Sequence, residues 1–322
     1  MKIRRLPFPA TILLMTLLCA GCLSPQASDS RGEKQAVDHV NPYMGNISHL
    51  LVPTFPTVHL PNSMLRVTPK RSDFTDVNLD GLPLILTSHR GTSAFSLSPV
   101  QGNADELSPV IELSYDQEKL TPYSYSVYLD DQHVQVDFGL ARQAASYELA
   151  FDGMAPAYLI INSREGALNW DGKALSGYQE LGNNTRVYLY LVTDHNPVRV
   201  STLQDHISTE GHQAEGRDAC LVLHFGEGPK NLRVHYGVSF IDADQARRNM
   251  EREVSGRSVP ELQQEAREIW NEALGKIRIQ GGTSDDRTVF YTSLYRCYER
   301  PVCISEDGRY FSAFDGQVHE DQ

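Results

Sequence analysis

The chain has 322 residues, 40% of them hydrophobic, enough to fill one large or two ordinary cores, so it is not a disordered protein. Its 41 acidic and 29 basic residues leave a formal net charge of −12. No cluster of Lys and Arg is available to meet a polyphosphate, which argues against nucleic acid and in favour of a neutral or weakly charged ligand.

In chain order the first element is an address. Lys2, Arg4 and Arg5 form a positive start, residues 10–18 an apolar run too short to span a bilayer, and Cys19-Ala20-Gly21-Cys22 closes it with small residues. That tetrapeptide resembles a bacterial lipobox, with Cys19 where Leu is usual; the alternative is an ordinary cleaved signal peptide. As a lipobox it makes residues 1–22 the leader and Cys22 the lipidated N-terminus, and the polar stretch 23–36 becomes a tether. The expected location is then the bacterial outer membrane, lipid-anchored and facing either the periplasm or the cell surface.

Next comes the one segment built for a ligand. Val40-Asn41-Pro42-Tyr43-Met44-Gly45 leads to His49, Pro53, Thr54, Phe55, Pro56, His59 and Pro61. Four prolines stiffen it, and rigid loops on β-scaffolds are where binding surfaces sit. His49, Thr54, Phe55, Pro56 and His59 are the candidate substrate contacts. The alternative is a Pro-rich edge that merely closes the scaffold.

From residue 110 to 280 short β-rich runs alternate with turn residues. Strands are predicted at 110–115, 123–129, 133–138, 145–151, 158–162, 186–192, 219–224, 232–240 and 276–280. Many short strands without intervening helices specify an antiparallel sandwich. Helices follow only at the end. Ser258 and Glu261 form a capping box around Pro260, and Leu262, Ala266, Ile269, Trp270, Ala273 and Leu274 follow at helical spacing, closed by Gly275. Asp242 caps a shorter helix with Ala246, Met250 and Val254 inward, and Ser284 starts another with Phe290, Leu294 and Cys297 inward.

Several motifs fail. Asp76, Asn78 and Asp80 copy the opening of a calcium loop, but its twelfth position is Thr87, not a bidentate Glu. Gly226 and Gly228 lack the third glycine of a dinucleotide turn. The sequons at Asn46 and Asn183 read as turns. Cys220 lies in an apolar run as a small hydrophobe, whereas Cys297 and Cys303 are either free thiols or one bridge.

The tail carries a resemblance. Gly281-Gly282-Thr283, then Phe290-Tyr291-Thr292-Ser293-Leu294-Tyr295, then Asp307-Gly308-Arg309-Tyr310 and Asp315-Gly316-Gln317-Val318-His319 resemble the junction between the two domains of glycoside hydrolase family 92. The likeness extends upstream through Val40 to Tyr43, His49, Thr54 to Pro56, Pro61 to Met64, Tyr236 to Phe240 and Trp270 to Leu274. Where the family has two His-containing stretches, this chain has Asn46-Ile47-Ser48-His49 and the run from Leu82 to Gly91, as in a divergent branch.

The resemblance implies bacterial exo-α-mannosidases, with an N-terminal β-sandwich and a C-terminal (α/α) barrel. It implies a mainly β fold: a sandwich over 37–240, linker helices over 241–275, and over 276–322 a last sandwich strand and the truncated start of the helical catalytic domain. It further implies an α-mannoside or related glycan as partner, approached by the loop of His49 and Thr54, and inversion by an acid and a base about 6.5–9.5 Å apart. That pair and the family's calcium ligands belong to helical-domain segments that would follow Gln322, so no catalytic residue and no metal is assigned in this chain, and the chain alone is expected to be inactive. A stand-alone carbohydrate-binding lipoprotein is the competing reading. Under the family reading Leu262, Ile269, Trp270, Phe290 and Leu294 await cover from the missing helical domain, and residues beyond Gly281 are the least anchored.

Overall fold

Side chains that alternate along a strand bury one face and wet the other, and here they build an antiparallel sheet that doubles back on itself. The structure is a computed structural model that describes residues 34–45, 54–71, 76–88, 92–227 and 229–321. The leader, Cys22 and His49 lie outside the described residues.

Three two-residue strands, β1 (Val58–His59), β2 (Arg66–Val67) and β3 (Asn78–Leu79), precede β4 (Leu82–Leu86) and β5 (Ser93–Gln101). A meander follows: β6 (Leu113–Leu120), β7 (Ser124–Leu129), β8 (Val134–Leu140) and β9 (Ala144–Phe151). Then come β10 (Ala157–Trp170), β11 (Leu175–Gly182), β12 (Thr185–Thr193), β13 (Arg199–Gln204), β14 (Ile207–Glu210), β15 (Gln213–His224) and β16 (Asn231–Ser239).

The long strand β10 decides the architecture. Its first half, from Ala157 to Asn162, pairs with β5, and its second half, from Gly166 to Trp170, pairs with β11, while β15 runs beside both. The sheet therefore parts into two limbs, β4-β5-β10-β15-β13-β14 and β11-β12-β16-β9-β8-β7-β6-β3. They close face to face. Tyr147 on β9 donates its hydroxyl to Pro83 O on β4 at 2.8 Å, and Tyr236 on β16 does the same to Leu84 O at 2.8 Å. Leu97, Leu159 and Leu221 of one limb share a core with Leu149, Leu189 and Tyr236 of the other. This is the antiparallel sandwich expected from the strand pattern.

Helix α1 (Ala243–Glu253) and helix α2 (Val259–Leu274) lie on the outer face of the second limb. Two strand glycines let them in. A Cβ on Gly237 would stand 2.2 Å from Ala246 O, and one on Gly139 2.9 Å from Val259 O, so only a bare backbone admits the helices this closely. Asp242 caps α1 by accepting from Gln245 N at 2.6 Å, and Ser258 with Glu261 forms the predicted capping box of α2.

Helix α3 (Ser284–Cys297) starts at Ser284 as expected, with Thr283 as its cap, boxed with Asp286. Its buried face is rotated. Tyr291, Thr292 and Tyr295 point inward, Cys297 is exposed, and Phe290 and Leu294 are only partly covered. A buried tyrosine needs a partner for its hydroxyl, and the partners are here: Thr57 O for Tyr295 at 2.5 Å and Ile277 O for Tyr291 at 3.4 Å.

Two expectations are corrected. Residues 276–280 form no strand and connect α2 to α3 irregularly. Leu262 and Trp270 are not waiting for cover, being 1% and 0% exposed within this chain, and Ile269, Phe290 and Leu294 pack against the same core. The tail is anchored as well. Glu306, fully buried, accepts from Phe240 N at 2.9 Å and Asn249 Nδ2 at 2.7 Å, and holds the hairpin of β17 (Arg309–Ser312) and β18 (Gln317–Glu320) against α1. Cys220, Cys297 and Cys303 are all free thiols, and burial pushes the Cys220 thiol up to about 12. No described helix is long and apolar enough to cross a membrane.

Candidate functional site

The ligand-like segment is clasped by the last turn of α3. Arg296 donates from Nη1 to Phe55 O at 2.5 Å and from Nη2 to Pro42 O at 2.6 Å and Met44 O at 3.4 Å. One planar guanidinium thus gathers backbone from both sides of residues 46–53, a task its fork of donors suits. Glu299 steadies it, accepting from Arg296 Nη1 at 2.7 Å and from Thr57 Oγ1 at 3.0 Å. Upstream, Thr292 Oγ1 accepts from Asn41 N at 2.9 Å, and Asn271 Oδ1 on α2 accepts from Val37 N at 3.1 Å.

A second anchor comes from the sandwich. Glu118 on β6 accepts from Tyr43 at 2.9 Å and from Tyr125 at 3.1 Å, and it pairs with Arg71, whose guanidinium lies 5.0 Å from the centre of the Tyr115 ring. Burial, followed by the Glu118 carboxylate, holds the Tyr43 and Tyr125 phenols well above their ordinary range, so both remain donors. With its oxygens committed to these donors, Glu118 is a brace for the segment and not a free acid or base.

The predicted contacts separate under this geometry. Thr54 is exposed and donates to Met44 O at 3.3 Å, Phe55 is half-buried, and Pro56 is buried. His59 is 0% exposed, wedged between Trp270 at 5.1 Å and Tyr295 at 4.9 Å between ring centres, and its own carbonyl accepts from Trp270 Nε1 at 2.6 Å. A side chain without surface cannot meet a sugar, so His59 is a packing residue in this fold, as is Pro56. His49 lies outside the described residues. The segment presents Tyr43, Thr54 and the edge of Phe55 outward from a braced backbone.

Sequence reasoning missed Arg296, Glu299, Arg71 and Glu118. Arg296 reads as an ordinary basic residue closing a helix, and Glu118 as a solvated strand charge. The backbone partners of Arg296 lie about 240 to 255 positions away, and Tyr43 and Arg71 reach Glu118 from 75 and 47 positions upstream, so neither role has a local signal.

Comparisons with known proteins agree with this layout. The sequence pattern described as the glycosyl hydrolase family 92 N-terminal domain matches residues 39–239, and that of the family 92 catalytic domain matches residues 245–322. No curated protein matches the chain. Among solved structures, a family GH92 inverting mannosidase from Bacteroides thetaiotaomicron superposes with a TM-score of 0.81 at 26% identity, over 89% of this chain and 44% of that one. A GH92 α-mannosidase from the same bacterium gives 0.78 at 19% identity, over 90% and 44%, and its complex with mannoimidazole gives 0.77 at 19% identity, over 90% and 43%. The chain spans less than half the length of these structures.

Proposed function

Because the chain belongs to glycosyl hydrolase family 92, we propose that it supplies the sugar-facing sandwich and the first helices of a calcium-dependent, inverting exo-α-mannosidase. The carrying observation is that α3, within the region matching the catalytic domain, clasps the 41–57 segment of the sandwich through Arg296. That junction favours this reading over a stand-alone binding sandwich. In the proposed reaction the described residues orient and do not react: the braced segment offers Tyr43 and Thr54 to an α-mannoside, and no carboxylate here is assigned as acid or base. Bound calcium would supply Lewis acidity at the substrate. The described residues contain no group of three or more His, Cys, Asp or Glu placed to share an ion, so no step is routed through it. A lipid on Cys22, holding the protein at the bacterial outer membrane, belongs to the same proposal.

The test has two arms. The isolated chain is expected to give no turnover of an aryl α-mannoside, with or without calcium, since inversion needs a positioned acid and base; turnover would mean that both lie within it. Mannoimidazole is expected to slow hydrogen exchange in peptides covering residues 41–57. No protection there at millimolar inhibitor would remove the sugar-facing role.

A further inference from the structure

The outer face of the first limb, opposite to the limb that carries α1 and α2, holds a cavity of about 870 Å³. Strand alternation sets its floor: Leu97, Leu159 and Ile161 turn into the core, and Ser96 and Asn162 turn out. Ser96 donates to Asn162 Oδ1 at 2.7 Å, and Asn162 donates to Pro109 O at 2.6 Å, which fixes the floor.

Gln179 on β11 closes the end where the limbs part. It is 5% exposed, and its Oε1 accepts from both Phe95 N and Arg164 N at 3.1 Å. Phe95 itself sits at φ 57°, a left-handed conformation a bulky residue rarely adopts. With Oε1 committed, the Nε2 amide is left with no acceptor among the described residues, and Gln179 lines the cavity. That amide is a donor at the cavity wall, on a side chain whose remaining surface is small.

The rim is cationic on an anionic protein. Lys70 and Arg164 line the cavity without a carboxylate partner among the described residues, and the nearest carboxylate oxygen to Arg217 belongs to Asp218 at 3.7 Å. Lys70, Arg164 and Arg217 outnumber Asp205 and Asp218 there, although the whole chain carries −12. Donors at the rim and on Gln179 call for an acceptor-rich anion. Hydroxyl and amide groups on the floor call for a polyhydroxylated body, and the volume, within the ~300–1,000 Å³ range of ligand pockets, is far larger than one tetrahedral ion needs.

We propose that this cavity binds a small acidic saccharide, a sugar unit bearing a carboxylate or a phosphate. The proposal stands on the sandwich alone and makes no use of mannoside hydrolysis. Calorimetric titration of the full chain with glucuronic acid, glucose 6-phosphate, glucose and inorganic phosphate tests it. At least one acidic sugar is expected to bind about tenfold or more tightly than glucose and than phosphate, more weakly as salt rises, and the stronger of the two identifies the anionic group. Arg164→Gln and Arg217→Gln, both at exposed positions that the fold does not need, are each expected to weaken that binding about tenfold, the size of one lost charge-assisted hydrogen bond, with the melting temperature unchanged. Equal binding of glucose, binding of phosphate as tight as that of the sugar, no binding at all, or wild-type affinity in both variants would overturn the proposal.

Discussion

Among the described residues, His59 has one ring nitrogen with a partner and one without. Nδ1 lies 2.9 Å from Leu60 O, while buried Nε2 has no partner among the described residues. The neutral ring protonated at Nδ1 satisfies that carbonyl, and a second proton would strand a charged donor among Trp270 and Tyr295. Burial therefore lowers the pKa to about 4 from 6.5; Glu299 and the Leu60 carbonyl oppose the change, and Arg66 and Arg296 add to it. Between those values the unfolded chain binds the extra proton, so the contribution is fully present above pH 6.5 and is lost as pH falls toward 4, with a size on the order of 3 kcal/mol. Urea unfolding midpoints are expected to fall across that window, with His224, also lowered to about 4, acting in the same direction. In His59→Phe the acid limb should be shallower, because the proton uptake of the unfolded His59 is gone while that of His224 remains. An unchanged pH slope in the variant would show that His59 is not the buried neutral ring described here.

At the scale of elements, α3 packs into the same compact unit as the strands. Tyr295 is 0% exposed and ties Thr57 to Trp270, whose ring lies 5.1 Å away. Amides over 290–298 are expected to exchange as slowly as those over 186–192, and Tyr295→Ala to cost about 3–5 kcal/mol, as aromatic truncations in cores do. Fast exchange of α3 beside protected strands would show instead a helix that opens by itself. The boundaries of α1 and α2 were legible in sequence because Asp242, Ser258 and Glu261 bond within three residues of themselves. The buried face of α3 was not, since Thr57, Ile277 and the Trp270 ring choose it from outside the helix. The early strands escaped for a related reason: β1 to β3 are two residues long, and β4 and β5 carry Pro83 and Pro99, which demote a strand when read locally. Within the candidate site, the Pro-rich segment was legible but its inward and outward faces were not; a His in such a loop carries no mark of whether Trp270 will cover it.

At the scale of the whole molecule, the remaining question is what would hold it at a membrane. Its net charge of −12 is repelled by anionic headgroups, and no described helix is long and apolar enough to span. The exposed large hydrophobics, such as Val77, Met154, Val198 and Phe314, lie far apart in sequence, each on a different turn, strand edge or loop. A lipid would act differently, adding about 0.8 kcal/mol for each CH₂ it buries, which outweighs weak headgroup repulsion within a few methylenes. The lipidation proposed at Cys22 therefore makes a sharp prediction. Expressed in a lipoprotein-processing bacterium, the wild-type chain is expected in the membrane fraction and Cys22→Ala in the soluble fraction, with the same melting temperature once purified, because Cys22 precedes the folded unit that begins at Gln35. A Cys22→Ala protein that still sediments with membranes, and resists a high-salt wash, would assign the attachment to the folded surface and end the anchor proposal.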